Sequence, residues 1–217
     1  MDVISEVGDW YMGMYSRLIF PRLLELSMSG QELSRYRQAL LASVRGEVLE
    51  IGFGTGLNMP YYGDGVTALT AIDPNEGMAA IATPRIQASM VNVNLQTANA
   101  ESLPMPAERF DAVVCTWTLC SIPHIEQALA EVYRVLKPGG QFFFIEHGLS
   151  PERGVGSWQR RVTPLQRRIA DGCHLDRPMA NLIKDVFPQV GLREFYATSL
   201  PKLIGYFYQG VATKSPL

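Results

Sequence analysis

The sequence predicts an α/β fold built on a parallel sheet. Three observations predict it. Short apolar runs alternate with stretches of helical periodicity. The first apolar run, Val48 to Ile51, leads directly into glycines at 52, 54 and 56. A later run, Phe110 to Thr116, is apolar enough to be covered on both faces, as strands of parallel sheets are.

Each element follows from its residues. Val48 to Ile51 is the first strand, Ala68 to Ile72 the second, and Val91 to Leu95 a weaker third. Phe110 to Thr116 is the fourth and Gln141 to Glu146 the fifth. A helix is expected after the glycines. Another runs from Glu126 to Leu136, where Ala128, Leu129, Val132, Val135 and Leu136 recur at helical spacing. Lys137-Pro138-Gly139-Gly140 stops it. Beyond residue 150 the alternation breaks into a helix rich in Arg and Gln (Ser157 to Asp171) and a second one (Met179 to Phe187) ended by Pro188. Two final strands, Leu192 to Ser199 and Tyr206 to Lys214, read as a hairpin. A helical segment with many aromatic and aliphatic residues, among them Trp10, Tyr11, Tyr15 and Phe20, precedes residue 45.

Composition bounds the partners. The 217 residues are 47% hydrophobic and 18% charged, which is globular, and the formal net charge of −2 gives no general affinity for nucleic acid. The three cysteines, Cys115, Cys120 and Cys173, include no CxxC pair. No metal is therefore expected from spacing, and the odd count points to reduced thiols in the cytoplasm. No stretch has the length and apolarity of a membrane span.

The most informative segment is Val48-Leu49-Glu50-Ile51-Gly52-Phe53-Gly54-Thr55-Gly56. A strand that runs into closely spaced glycines lets the backbone turn and approach a ligand with no Cβ in the way. The spacing is GxGxG rather than the GxGxxG of dinucleotide folds, which disfavours a nicotinamide oxidoreductase. Glu50 suits an ammonium group and would repel a phosphate. Asp73, which precedes Pro74 and lies 21 positions after Gly52, stands where an acidic residue meets ribose hydroxyls. The loop from Asn99 through Ala100 and Glu101 follows the third strand, at the edge where an adenine would lie. Thr116 and Trp117 close the fourth strand beside the same space. A plain turn at Asp73 and ordinary core packing of Trp117 are the alternatives.

The runs VLEIGFGTG, NAESLPM, FDAVVCTWTLCSI and LAEVYRVLKPGGQFFFIEHG, with Asp73 between the first two, resemble the S-adenosylmethionine (SAM)-dependent methyltransferases of the UbiE and type 11 group. The likeness spans roughly 46–150. It implies a Rossmann-like three-layer sandwich, with a seven-stranded, mostly parallel sheet whose last strand is antiparallel. It also implies SAM as cofactor, with Glu50, Gly52, Gly54 and Gly56 around its methionine, Asp73 on ribose, and Asn99 with Ala100 at adenine. Two positions depart from the family habit: Phe53, where Cys or Ala is common, and Asn99, where Asp is common. A narrower likeness, carried by CTWTLCSI, the EHG at 146–148, Trp158-Gln159 and Asp171-Gly172-Cys173 with Leu175 and Arg177, points to the methyltransferase-7-like branch, which includes animal thiol S-methyltransferases.

That resemblance implies one domain, 1–217, with an N-terminal helical lid (1–45), a cofactor-binding core (46–150) and C-terminal helices with the strand hairpin (151–217). It implies methyl transfer to a small molecule, preferably a thiol. A phenol, quinone or lipid headgroup as acceptor, and a non-catalytic SAM-binding role, stay open. His147, beside Glu146 at the end of the fifth strand, is the candidate base, because an imidazole titrates near neutral pH. A structural histidine is the competing reading. Tyr11, Tyr15, Asp171 and Cys173 are candidates for the acceptor pocket. The oligomeric state is open, and a peripheral membrane contact through the N-terminal helix is the secondary reading of that segment.

Overall fold

The structure is a computed structural model and describes residues 14–216. Its centre is a seven-stranded sheet in the order β3-β2-β1-β4-β5-β7-β6, made of β1 (Gly46–Ile51), β2 (Val66–Ile72), β3 (Val93–Gln96), β4 (Phe110–Thr116), β5 (Leu136–His147), β6 (Gln189–Tyr196) and β7 (Tyr206–Thr213). Strands β1 to β5 pair in parallel, and β7 runs antiparallel to both β5 and β6. The final hairpin expected from the sequence forms, in register from Gln189 opposite Thr213 to Tyr196 opposite Tyr206.

Strand periodicity divides the core in two. Leu49, Val113, Cys115, Phe142 and Phe144 point to one face. There they meet α4 (Ile125–Val135) through Ala128, Leu129 and Val132, and α6 (Met179–Lys184) through Met179 and Ile183. Val48, Ala112, Val114, Phe143 and Ile145 point to the other, against Leu33, Leu40 and Leu41 of α2 (Gln31–Leu41) and Ala82 of α3 (Ala79–Gln87). Such alternation on strands covered from both sides is the three-layer arrangement the sequence predicts. Phe142, Phe143 and Phe144 are each at most 2% exposed, and each contributes roughly 1.5–3 kcal/mol by leaving water. The remaining helices are α1 (Phe20–Met28), preceded by a π-helical turn over Tyr15–Ile19, and α5 (Arg153–Ile169).

Several boundaries differ from the sequence expectation for identifiable reasons. No α-helix follows the glycines. The segment 52–65 holds only a 3₁₀ turn at Met59–Tyr61, with Pro60 inside it and Gly63 and Gly65 beyond, too short and too broken for a helix. β5 starts at Leu136 rather than Gln141, because Lys137 to Gly140 form an irregularity in the ladder with Gly139 at φ +74°. α5 starts earlier than expected and ends at Ile169, where Asp171 and Gly172 take positive φ (45° and 85°). α6 ends at Lys184, short of Phe187, since the residue before a proline avoids helical backbone. These changes leave Gly52, Asp73 and Trp117, just beyond the carboxyl ends of β1, β2 and β4, side by side with His147, the last residue of β5.

Candidate functional site

A cavity of about 920 Å³ opens at those strand ends. Gly52, Phe53, Gly54, Asp73, Pro74, Asn99, Ala100, Thr116 and Trp117 line one part of it. Tyr15, Phe20, Leu23 and Leu24 form a roof, and Cys120, His147, Asp171 and Cys173 close the far end. Tyr11, like Trp10, lies outside the described residues.

The glycine loop is shaped by backbone that other residues resist. Gly52, Gly54 and Gly56 have φ of +72°, +54° and +78°. A Cβ at Gly52 would collide with the Thr118 side chain. A Cβ at Gly54 would project into the cavity, where the nearest protein atom is Leu24 Cδ2 at 3.8 Å. Gly56 is turned away from the cavity, against the Phe53 ring and Ala82. The Gly54 N–H donates to Asp73 Oδ2 at 2.8 Å, and the Asn75 N–H donates to Oδ1 at 2.8 Å. Each carboxylate oxygen keeps a lone pair for a ligand. Burial raises the Asp73 pKa, against the lowering effect of the Asn75 and Gly54 N–H groups.

Glu50 stands behind this wall rather than in it. It is 1% exposed and accepts hydrogen bonds from Asn58 Nδ2 (2.8 Å) and the Tyr62 hydroxyl (2.6 Å). Burial raises its pKa to about 7, although Tyr62, Asn58 and Arg37 pull the other way. Asn58, which lines the cavity, also donates to Thr116 Oγ1 at 3.1 Å, and its own Oδ1 is buried with no partner among the described residues. Asn58, a residue whose spacing carried no signal, therefore lines the cavity where Glu50 itself does not. Glu101 is also off the wall. Its carboxylate accepts from the His124 N–H (2.6 Å) and Asn99 Nδ2 (3.0 Å), which shapes the Asn99 turn at the cavity mouth.

Trp117 occupies a left-handed backbone position (φ +51°), a conformation that costs a non-glycine residue about 1–3 kcal/mol and clusters at functional sites. Its ring lies under the Arg37 guanidinium (4.7 Å) and edge-on to Phe207 (5.5 Å). Its Nε1 is buried and has no partner among the described residues.

The far end joins three distant segments. His147 Nε2 is 3.0 Å from Cys173 Sγ, and Cys120 brings a second thiol; the three ligand atoms lie within 4.8 Å of one another. Glu146 is fully buried and holds the turn below Cys120 by accepting from the N–H groups of Thr118 (2.9 Å), Leu119 (3.0 Å) and Cys120 (3.4 Å). Arg177 clamps the same loop through the carbonyls of Leu119 and Ile122. The neighbouring Cys120 thiol and the His147 imidazole hold the Cys173 thiol well below the usual range, against the effect of burial. Burial lowers the His147 pKa, but Cys173 and Glu146 outweigh it and the net shift is upward. Asp171 accepts from Ser16 Oγ (3.2 Å), and the Tyr15 hydroxyl donates to the Ile169 carbonyl (2.8 Å), so the N-terminal roof and the end of α5 meet over the cavity. Gln159, singled out by sequence likeness, is structural: it bonds the backbone of Gly148, Ser150 and Leu203.

This cavity fits a nucleoside that carries an amino acid. It offers a Cβ-free cradle at Gly54, spare carboxylate lone pairs at Asp73 and the unpartnered Asn58 Oδ1. The family description "Methyltransferase domain" matches residues 49–144. Thiol S-methyltransferase TMT1B of Rattus norvegicus is 39% identical over 137 residues, 60% of this chain and 54% of that protein, so the match spans about half of the rat protein's length. Thiol S-methyltransferase TMT1A of Homo sapiens is 34% identical over 176 residues, 77% of this chain and 70% of that protein. Among solved structures, a SAM-dependent methyltransferase from Thermotoga maritima superposes with a TM-score of 0.66 at 22% identity, covering 95% of this chain and 100% of that one.

Proposed function

Since the chain belongs to the SAM-dependent methyltransferase family, we propose that it transfers a methyl group from SAM to the sulfur of a small thiol. The observation that carries the acceptor reading is the His147–Cys173 pair, 3.0 Å apart at the end of the cavity opposite the glycine loop. The thiol S-methyltransferases among its relatives support it.

In this reading Gly52 and Gly54 receive the methionine part of SAM. Gly56 shapes the loop from behind, and Asn58, backed by Glu50 and Thr116, meets the ammonium. Asp73, with Pro74 closing the turn, accepts from ribose hydroxyls. Asn99 and Ala100 border adenine, with Glu101 fixing their loop, and Trp117 walls the centre. When bound, SAM supplies an electrophilic methyl group on a sulfonium. Tyr15, Leu23, Leu24 and Phe207 keep water away, which favours a reaction that neutralises charge. The roof over residues 14–41 acts as a lid; the rest of the expected lid, residues 1–13, lies outside the described residues. Cys173 sits beside an imidazole of raised pKa, so the two behave as a thiolate–imidazolium unit. With SAM bound, an incoming R–SH would lose its proton to solvent, the His147 imidazolium would stabilise the R–S⁻ that forms, and R–S⁻ would attack the methyl carbon as the C–S⁺ bond breaks. His147 thus acts as half of a pair rather than as a lone base. Asp171 and Tyr15 hold the acceptor end shut.

Turnover of SAM to S-adenosylhomocysteine across a panel of alkyl thiols, phenols, quinones and phosphatidylethanolamine vesicles tests this. Turnover confined to thiols supports the reading. Turnover confined to another class overturns the acceptor. Binding with no turnover leaves a non-catalytic SAM-binding protein.

Among the described residues no helix is long and apolar enough to cross a membrane. Leu18, Ile19 and Leu26 (79% exposed) on the roof, and Trp158, Leu165 and Ile169 on α5, leave exposed apolar surface. That surface favours peripheral membrane contact as an addition to the proposal, which co-sedimentation with vesicles checks. A cytoplasmic setting belongs to the same proposal and rests on the odd number of cysteines.

A further inference from the structure

We propose that Cys120, His147 and Cys173 form a binding site for a thiophilic divalent cation such as Zn²⁺, with one coordination position open to the cavity. The three donors come from the turn after β4, the end of β5 and the turn after α5, and they converge so that all ligand atoms lie within 4.8 Å of one another. Two sulfurs and an imidazole nitrogen are the donor set that selects zinc and related soft ions over magnesium or calcium. Cys₂His with a vacant fourth position is a known catalytic zinc arrangement. Tetrahedral bonds of zinc length need donor separations of about 3.5–3.8 Å, so His147 Nε2 and Cys173 Sγ need only part from 3.0 Å by a fraction of an ångström.

The surrounding backbone holds this geometry. The His174 N–H donates to the Cys120 carbonyl at 2.9 Å, which ties the two cysteine-bearing turns together. Glu146 and Arg177 fix the Cys120 turn from below, and their opposite charges balance. Gln166 Nε2 approaches Cys173 Sγ at 3.7 Å. Cys120 and Cys173 are 2% and 7% exposed, yet both, with His147, line the cavity. Two thiolates neutralise the cation, so a net charge is not buried. His147 Nδ1 has no partner among the described residues, so affinity rests chiefly on the two sulfurs.

The protons balance simply. As the cation binds, Cys120 releases its thiol proton and His147 its imidazolium proton to solvent, and Cys173 binds as the thiolate it already is. An acceptor thiol entering the fourth position releases another as its sulfur coordinates, because a coordinating thiol is deprotonated outright. In the metal-loaded state the cation, not the His147–Cys173 pair, ionises the acceptor. This role rests on the thiol reading above; cation binding itself does not.

The test is titration of the reduced 217-residue chain with Co²⁺, in a phosphine reductant and without added thiol. The expected result is one equivalent bound, a thiolate-to-cobalt charge-transfer band in the near ultraviolet, visible bands of tetrahedral Co²⁺, and loss of both on adding Zn²⁺. Cys120→Ser and Cys173→Ser should each weaken or lose the charge-transfer band while SAM still binds by calorimetry, which shows the variants are folded. Cys115→Ala, which alters a buried thiol outside the cluster, should keep it. Ethanethiol added to the Co²⁺-loaded protein should strengthen the band if the fourth position is open. No stoichiometric uptake, or an unchanged band in the Cys120→Ser/Cys173→Ser double variant, overturns the site. Co²⁺ uptake without thiol methylation sinks only the acceptor reading, and thiol methylation without Co²⁺ uptake sinks only the metal site.

Discussion

The Asp73 carboxylate accepts a 2.8 Å hydrogen bond from the Gly54 N–H, and this bond ties the end of β2 to the glycine loop after β1. Asp73 thus shapes the loop and keeps lone pairs for a ribose. Asp73→Ala removes both contributions, and SAM binding should weaken by about 1–3 kcal/mol, the range for leaving polar partners unpaired. Isothermal calorimetry measures this directly. Unchanged affinity would remove Asp73 from the site.

Gly52 and Gly54 should respond differently to added side chains. A Cβ at Gly52 meets Thr118, so Gly52→Ala should lower the melting temperature whether or not SAM is present. A side chain at Gly54 enters open cavity, so Gly54→Val should leave a folded chain that no longer binds SAM, apart from the strain of a positive φ. A folded Gly54→Val chain that binds SAM normally would sink the loop assignment.

Glu50 gives a pH prediction whose sign is unusual for a carboxylate. Its folded pKa is raised to about 7 from 4.5, so its burial costs stability as pH rises through that interval, instead of adding it. Glu50→Gln should therefore raise the melting temperature more at pH 8 than at pH 4. The cationic methionine end of SAM favours the carboxylate, so SAM affinity of the native chain should rise between about pH 6 and 8. The rise should be smaller in Glu50→Gln. A native profile that overlays the variant's would mean Glu50 does not sense the ligand's charge.

Much of this was legible in the sequence, because strands covered on both faces leave continuous apolar runs. Phe110 to Thr116 was bounded to the residue. The glycine loop was visible because close backbone approach needs glycine at fixed positions. Asn58 was invisible because its role depends on a side chain folding back eight residues to Glu50 across a turn that was expected to be a helix. The metal-type cluster was missed for a related reason. Spacing rules look for cysteines close in sequence, whereas Cys120, His147 and Cys173 are brought together by the sheet and the turn after α5. Gln159 and Arg177 carried family likeness without touching the cavity chemistry, since a buried clamp for a loop leaves the same sequence trace as a ligand.

The His147–Cys173 pair makes the last prediction, measured with a chelator present so that no cation replaces it. The Cys173 pKa is lowered and that of His147 raised, so the thiolate–imidazolium form spans neutral pH. In the resting protein, alkylation of Cys173 by iodoacetamide should therefore stay fast as pH falls below the ordinary thiol range, and in His147→Gln it should slow as pH falls. Catalysis should show the matching pattern. An alkyl thiol titrates near or above the free cysteine value of about 8.5, so below that pH it arrives protonated and the imidazolium of the pair must favour its ionisation. His147→Gln and Cys173→Ser should thus lower kcat most below the acceptor's pKa, with the loss shrinking above it, where the acceptor arrives as thiolate. A loss equal at every pH would show that the pair shapes the cavity without promoting the acceptor's ionisation. Native-like alkylation in His147→Gln would show that the imidazole does not hold the thiolate.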